Sequence, residues 1–180
     1  MLIEDGKGTG SKLAVIDSQA DVLTTSAIHQ AAIRGDAFAW NSVSENLAAG
    51  DTALCVRNLS QDRLLVINRI YVYSDIATAI DVHIQTSSAT FGGTAVVGVN
   101  LNTSSAEVAD ANAATNDDTV TIGTIIFTLH TNEDTADQFS VDYVTNDEII
   151  LGTNGCIGVD ILAEIVAGHE CSIIGYYIDA

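Results

Sequence analysis

Apolar and polar residues alternate one for one along much of this chain, and that period commits it to β-structure. Ile80, Val82 and Ile84 alternate with Asp81, His83 and Gln85. Phe139, Val141 and Tyr143 alternate with Ser140 and Asp142, and Ile157, Val159, Ile161 and Ile165 with Gly158, Asp160 and Glu164. Successive strand side chains point to opposite faces, so each run has one face for a core and one for solvent. From Val120 to Leu129 the parity flips at Gly123-Thr124, which reads as a β-bulge or a corner between sheets. Further strands are expected at Thr52–Leu59, Leu64–Tyr73, Thr94–Leu101, Glu148–Leu151 and Cys171–Ile178. The last is apolar on both faces, so it belongs at the centre of its sheet or at a subunit contact.

Between these runs lie clusters of Asp, Asn, Gly, Ser and Thr: NLSQD, SSATFGG, NAATNDD, HTNEDTAD, VTNDE and GTNG. Such residues form turns by bonding to local backbone and by tolerating positive φ. Proline is absent, where average usage would give about nine. Eight to ten short strands with turn signals between them predict an all-β, jelly-roll-like two-sheet sandwich. Phe38 and Trp40, which follow the Gly35-Asp36 turn, are expected in its core, with Trp40 as an interface anchor the alternative.

Residues 1–35 differ from the body at 36–180. DGKGTGSK is a Gly-rich polar lead-in followed by LAVI and VLTTSAI. Val22, Thr24, Thr25 and Ile28 are β-branched and favour an extended N-terminal arm. The competing reading is a helix over Ser18–Arg34 with Ser18 as N-cap and Ile16, Ala20, Leu23, Ala27 and Ala31 along one side.

Charge narrows the partners. The chain has 180 residues, 24 acidic and 6 basic, for a net charge of −18. A phosphate backbone needs Lys and Arg to displace its counterions, so nucleic acid is excluded as a partner. All six basic residues lie in the first 69 positions beside eight acidic ones; residues 70–180 hold sixteen acids and no Lys or Arg. One reading is a solvated acidic surface. The other is a near-neutral first third that contacts a protein while the remainder faces solvent. Apolar runs such as Leu64–Ile67 are too short to cross a bilayer, and the acidic N-terminus lacks a signal peptide's pattern, so neither membrane nor secretion is expected.

Candidate chemistry is sparse. Gly6, Gly8 and Gly10 do not have the spacing of a phosphate loop. His29, His83, His130 and His169 share no metal-ligand spacing, and no nucleophile signature is present. No catalytic residue and no cofactor is expected. Asp110, Asp117 and Asp118 sit in one Asx-rich loop, the composition a hard cation wants, although acidic turn residues are the commoner explanation and no metal site is expected. Cys55, Cys156 and Cys171 read as buried thiols, with a Cys156–Cys171 bridge left open on strands expected to be neighbours.

The opening MLIEDGKGTGSK, followed in order by GDAFAWNS, VRNLSQDRLLVINRIYVYSD and GYYID, resembles a group of tailed-phage structural proteins. These begin with an IEDGxGxG-like arm and continue into a β-sandwich; the capsid-decoration or head-stabilising members are the most similar. The resemblance implies a virion protein on the outer surface of the capsid. There it would clamp major capsid protein subunits and associate with itself, often as a homotrimer, without enzymatic activity. Attachment is then expected through the arm, with Ile3, Lys7, Lys12 and Arg34 as the partner-binding residues. The alternative is a tail-tip or fibre receptor-binding sandwich whose loops grip the host.

Overall fold

The computed structural model describes residues 26–42, 46–74, 76–86, 91–116, 123–130, 139–164 and 168–180. It is an all-β protein of two antiparallel sheets with one short helix. The elements are α1 (Ala27–Arg34), β1 (Ala37–Asn41), β2 (Thr52–Asn58), β3 (Arg63–Ser74), β4 (Ala79–Thr86), β5 (Thr94–Val96) and β6 (Val99–Asn100). They continue with β7 (Ala111–Thr115), β8 (Thr124–His130), β9 (Phe139–Leu151), β10 (Gly155–Ile161) and β11 (His169–Asp179). One sheet has the order β6-β1-β11-β3-β9 and the other β5-β7-β2-β10-β4-β8. Apart from β5, β6 and β7, the strands pair first with last: β1 with β11, β2 with β10, β3 with β9, β4 with β8. Successive pairs alternate between sheets, which is the winding of a jelly roll. Strands β5 to β7 are an insertion between β4 and β8, and they extend both sheets at the β1/β2 side.

The alternation seen in the sequence delivers the core. Leu54 and Val56, Ile80 and Val82, and Ile157, Val159 and Ile161 meet Phe38 and Trp40, Leu65, Ile67, Ile70 and Val72, and Ile173 and Tyr177 from the opposite sheet. Trp40 is buried there, not at an interface. The doubly apolar last strand lies centrally, between β1 and β3. On its outer side Ala37, Tyr176 and Val66 form a cross-strand row, and α1 covers it through Ala31, Ile28 and Ala32.

That helix corrects the extended reading over its own span. Ser26, not Ser18, is the N-cap, and its Oγ accepts from His29 N at 3.4 Å. Gly35 adopts φ 85, and the Gly35 and Asp36 N–H groups bond back to Ala32 and Ala31, a Schellman ending that suits glycine. Burial of Ala31 outweighs the weak helix propensity of β-branched Ile28. The rest of the expected arm, residues 1–25, lies outside the described residues.

Three other expectations change. NAATNDD, read as a turn, begins with β7, whose small Ala113 and Ala114 pair with Val56 and Cys55. VTNDE is no terminus: β9 runs through it, with Thr145–Glu148 bulging opposite Asn68 and Asn146 at φ 53. Strand β8 has a bulge at Ile126, where Phe127 pairs with Val82 but Ile125 with His83; Val120 and Ile122, on the far side of the expected flip at Gly123-Thr124, lie outside the described residues. A Cys156–Cys171 bridge is ruled out because β10 and β11 lie in different sheets; all three cysteines are buried and none is in a disulfide. Burial pushes the Cys171 thiol well above its usual range, so it stays protonated.

Candidate interaction surface

The elaborations on the jelly roll, α1 and the β5–β7 insertion, meet at one end of the molecule. The last carbonyls of a helix lack intrahelical partners, and here asparagines of the insertion take them. Asn102 Nδ2 donates to Ile33 O at 3.1 Å and Asn100 Nδ2 to Gly35 O at 2.8 Å. Asn100 also holds Glu107 O at 3.0 Å, and Leu101 N donates to Ala37 O at 2.9 Å. A side chain at Gly35 would bring its Cβ within 2.2 Å of Ser105 Oγ, so the loop and helix end pack backbone to side chain.

This docking leaves apolar side chains outside. Val97 is 82% exposed and Val108 78%, and Ile33, Val99 and Leu101 are exposed beside them in sequence or across the contact. A groove of about 440 Å³ runs between α1 and the loop, lined by His29, Ala32, Ile33, Leu101, Asn102 and Thr103. Between Phe91 and Ala109 the only charged residue is Glu107. Large exposed apolar residues grouped on a charge-poor surface mark interaction sites rather than ordinary surface.

Arg34 stands at the edge of this surface, in a neighbouring cleft of about 530 Å³ with Asp36, Arg63, Tyr177, Ile178 and Asp179. Asp36 bridges both arginines, 3.1 Å from Arg34 Nε and 3.6 Å from Arg63 Nη1. Arg63 also stacks 4.5 Å over the Tyr177 ring. Burial and the Asp110 charge raise the Tyr177 phenol, with Arg63 opposing them, so this ring packs and does not titrate near neutrality.

Of the expected partner-binding and cation-binding residues, Arg34 is the described one at this surface, and His29 from the histidines lines its groove; Ile3, Lys7, Lys12, Asp117 and Asp118 lie outside the described residues. Asp110 sits at the start of β7, where its carbonyl accepts from Leu59 N at 3.0 Å. No group of three His, Cys, Asp or Glu among the described residues is placed to hold a metal. Ile33, Val97, Val99, Leu101 and Val108 were not anticipated. The signal was a strand-like VVGVNL run in a nearly uncharged stretch, which reads as one strand but splits at Gly98 between two sheets. Gly98 packs there against the Trp40 indole. No family model matches the chain, and no curated protein matches it.

Proposed function

We propose that this chain is a non-enzymatic structural protein of a virus particle, seated on the outside of the capsid through the surface formed by α1 and the insertion. The exposed, charge-poor apolar side chains of that surface carry the reading. A body with a net charge of −18 repels copies of itself and other acidic surfaces. Contact through an uncharged patch avoids that cost, and interface centres are characteristically depleted of charge. Arg34 lies at the end of α1, and Ile3, Lys7 and Lys12, which precede the helix in the sequence, are the other contacts this reading expects. The partners are then the major capsid protein and neighbouring copies in a homotrimer. A clamp of this kind needs no chemistry: binding only the assembled shell stabilises it by mass action. The jelly roll is compatible with this role and with many others, so the surface, not the fold, supports it.

The test is the pair Val97→Asp and Val108→Asp, at side chains that already sit in solvent. Thermal stability should change by no more than about 0.5 kcal/mol. Co-sedimentation with capsid shells lacking this protein should weaken by at least about tenfold, since a buried charge must be desolvated at the contact. A variant that sediments as well as the unaltered chain would move attachment elsewhere, and the tail-tip receptor-binding reading would gain ground.

A further inference from the structure

The side of the sandwich away from α1 and the insertion also departs from a closed jelly roll. Among the described residues, strands β8 and β9 are the edges of their sheets there, and no other described strand closes the seam between them. Two adjoining hollows of about 360 and 340 Å³ share Ile84, Ile150 and Leu151. Together they form a groove whose floor includes Leu151 of the core, Phe127 and Ile149 packed against that core, and Tyr143, its ring tilted against Phe127 with centroids 4.6 Å apart. Its rims are apolar too. Ile126 on β8 and Ile150 on β9 line it and are exposed.

The exposed rim is unfinished packing. The cross-strand row Ala37–Tyr176–Val66 continues to Ile150. Its first three members are buried beneath α1, whereas Ile150, beyond the helix, is 52% exposed. Both edge strands carry bulges, at Ile126 and at Thr145–Glu148. A bulge interrupts the free ladder that a new strand would need, so recognition falls to side chains that drop into the groove.

Charge selects the occupant. Every residue lining the groove comes from the part of the chain with sixteen acids and no Lys or Arg, and Glu148 lines it directly beside Asp147. Among the described residues, Arg69 lies on β3 opposite Val144 of β9, and Asp142 already holds it in a two-pronged ion pair. A second copy would bring the same Glu148 and the same net charge of −18 to the contact and be repelled. We propose that the β8/β9 seam is a docking groove for an extended segment of a partner protein in which apolar side chains alternate with lysines or arginines. This site is separate from the α1 surface, so the protein would join two partners across opposite edges.

A dye-labelled peptide of alternating lysine and valine, titrated into the full chain and followed by anisotropy, tests this. Saturable binding is expected, weakened by at least about tenfold when glutamate replaces each lysine or when the chain carries Ile126→Asp with Ile150→Asp. Val97→Asp with Val108→Asp should leave it unchanged. Because the seam variant risks unfolding, amide shifts of the unaltered chain are read as well. They should move at 84–86, 124–127 and 143–155. The proposal is overturned by absence of binding, by equal binding of the glutamate peptide, or by shifts centred elsewhere. Absence of binding includes the case in which the chain's own N-terminal residues fill the groove.

Discussion

Trp40→Ala is expected to cost about 3–5 kcal/mol, the range for emptying a large buried aromatic site. Trp40 is fully buried on β1, with its ring 6.2 Å from Phe38. Gly98 of the insertion lies so close that a Cβ there would sit 2.6 Å from the indole Nε1. The site cannot readily collapse, because rigid strands wall it on both sides. At about 2–4 °C per kcal/mol for a chain of this size, the melting temperature should fall by roughly 10 °C. The loss should also loosen residues 97–108, which rest on the indole, and so reach the proposed attachment surface. A change below about 1 kcal/mol would mean that Trp40 is not the keystone of this end.

Asp160→Ala is expected to be nearly as damaging, through polarity rather than volume. Asp160 on β10 lies on the outer face of the six-stranded sheet, yet it and His83 are both buried. Its Oδ1 accepts from Thr52 Oγ1 at 2.7 Å and stands 2.9 Å from His83 Nε2. Its cross-strand neighbour Asp81 is turned to Thr128 at 2.5 Å, which keeps two carboxylates from competing for one partner. Removing Asp160 takes the acceptor from the buried Thr52 hydroxyl, at about 1–3 kcal/mol, and removes the carboxylate that faces buried His83. His83→Ala alone should cost less, and the double variant should cost less than the two single variants added together. Urea unfolding of the cycle measures this. Additive penalties would mean the groups are merely adjacent.

Much of the architecture was legible because burial on one face writes a period of two into the sequence. The rows Ile80–Ile84 and Ile157–Ile161 became core strands, and the doubly apolar Cys171–Ile178 became a central one. What was not legible depends on contacts distant in sequence. Ala111–Thr115 looks like a turn because its small and Asx residues have no period of their own; it is a strand because β2 offers a free edge. VTNDE has turn composition and does bulge, but pairing on both sides keeps β9 continuous. Helix α1 owes its existence to Tyr176 and Val66, over a hundred and about thirty residues away in the sequence, giving Ala31 a surface to cover. The candidate surface was half visible: Arg34 and the near-neutral N-terminal third pointed to this end. The exposed valines did not, because an alternating apolar run predicts burial and cannot reveal that an insertion carries it outside.

Hydrogen exchange of the chain, free and bound to capsid shells that lack it, tests attachment most directly. Amide protection upon binding is expected at residues 27–34 and 97–108, with the acidic strands β8 and β9 exchanging as in the free chain. Protection confined to 124–130 and 139–151, with α1 and the insertion unchanged, would contradict attachment through α1 and the insertion.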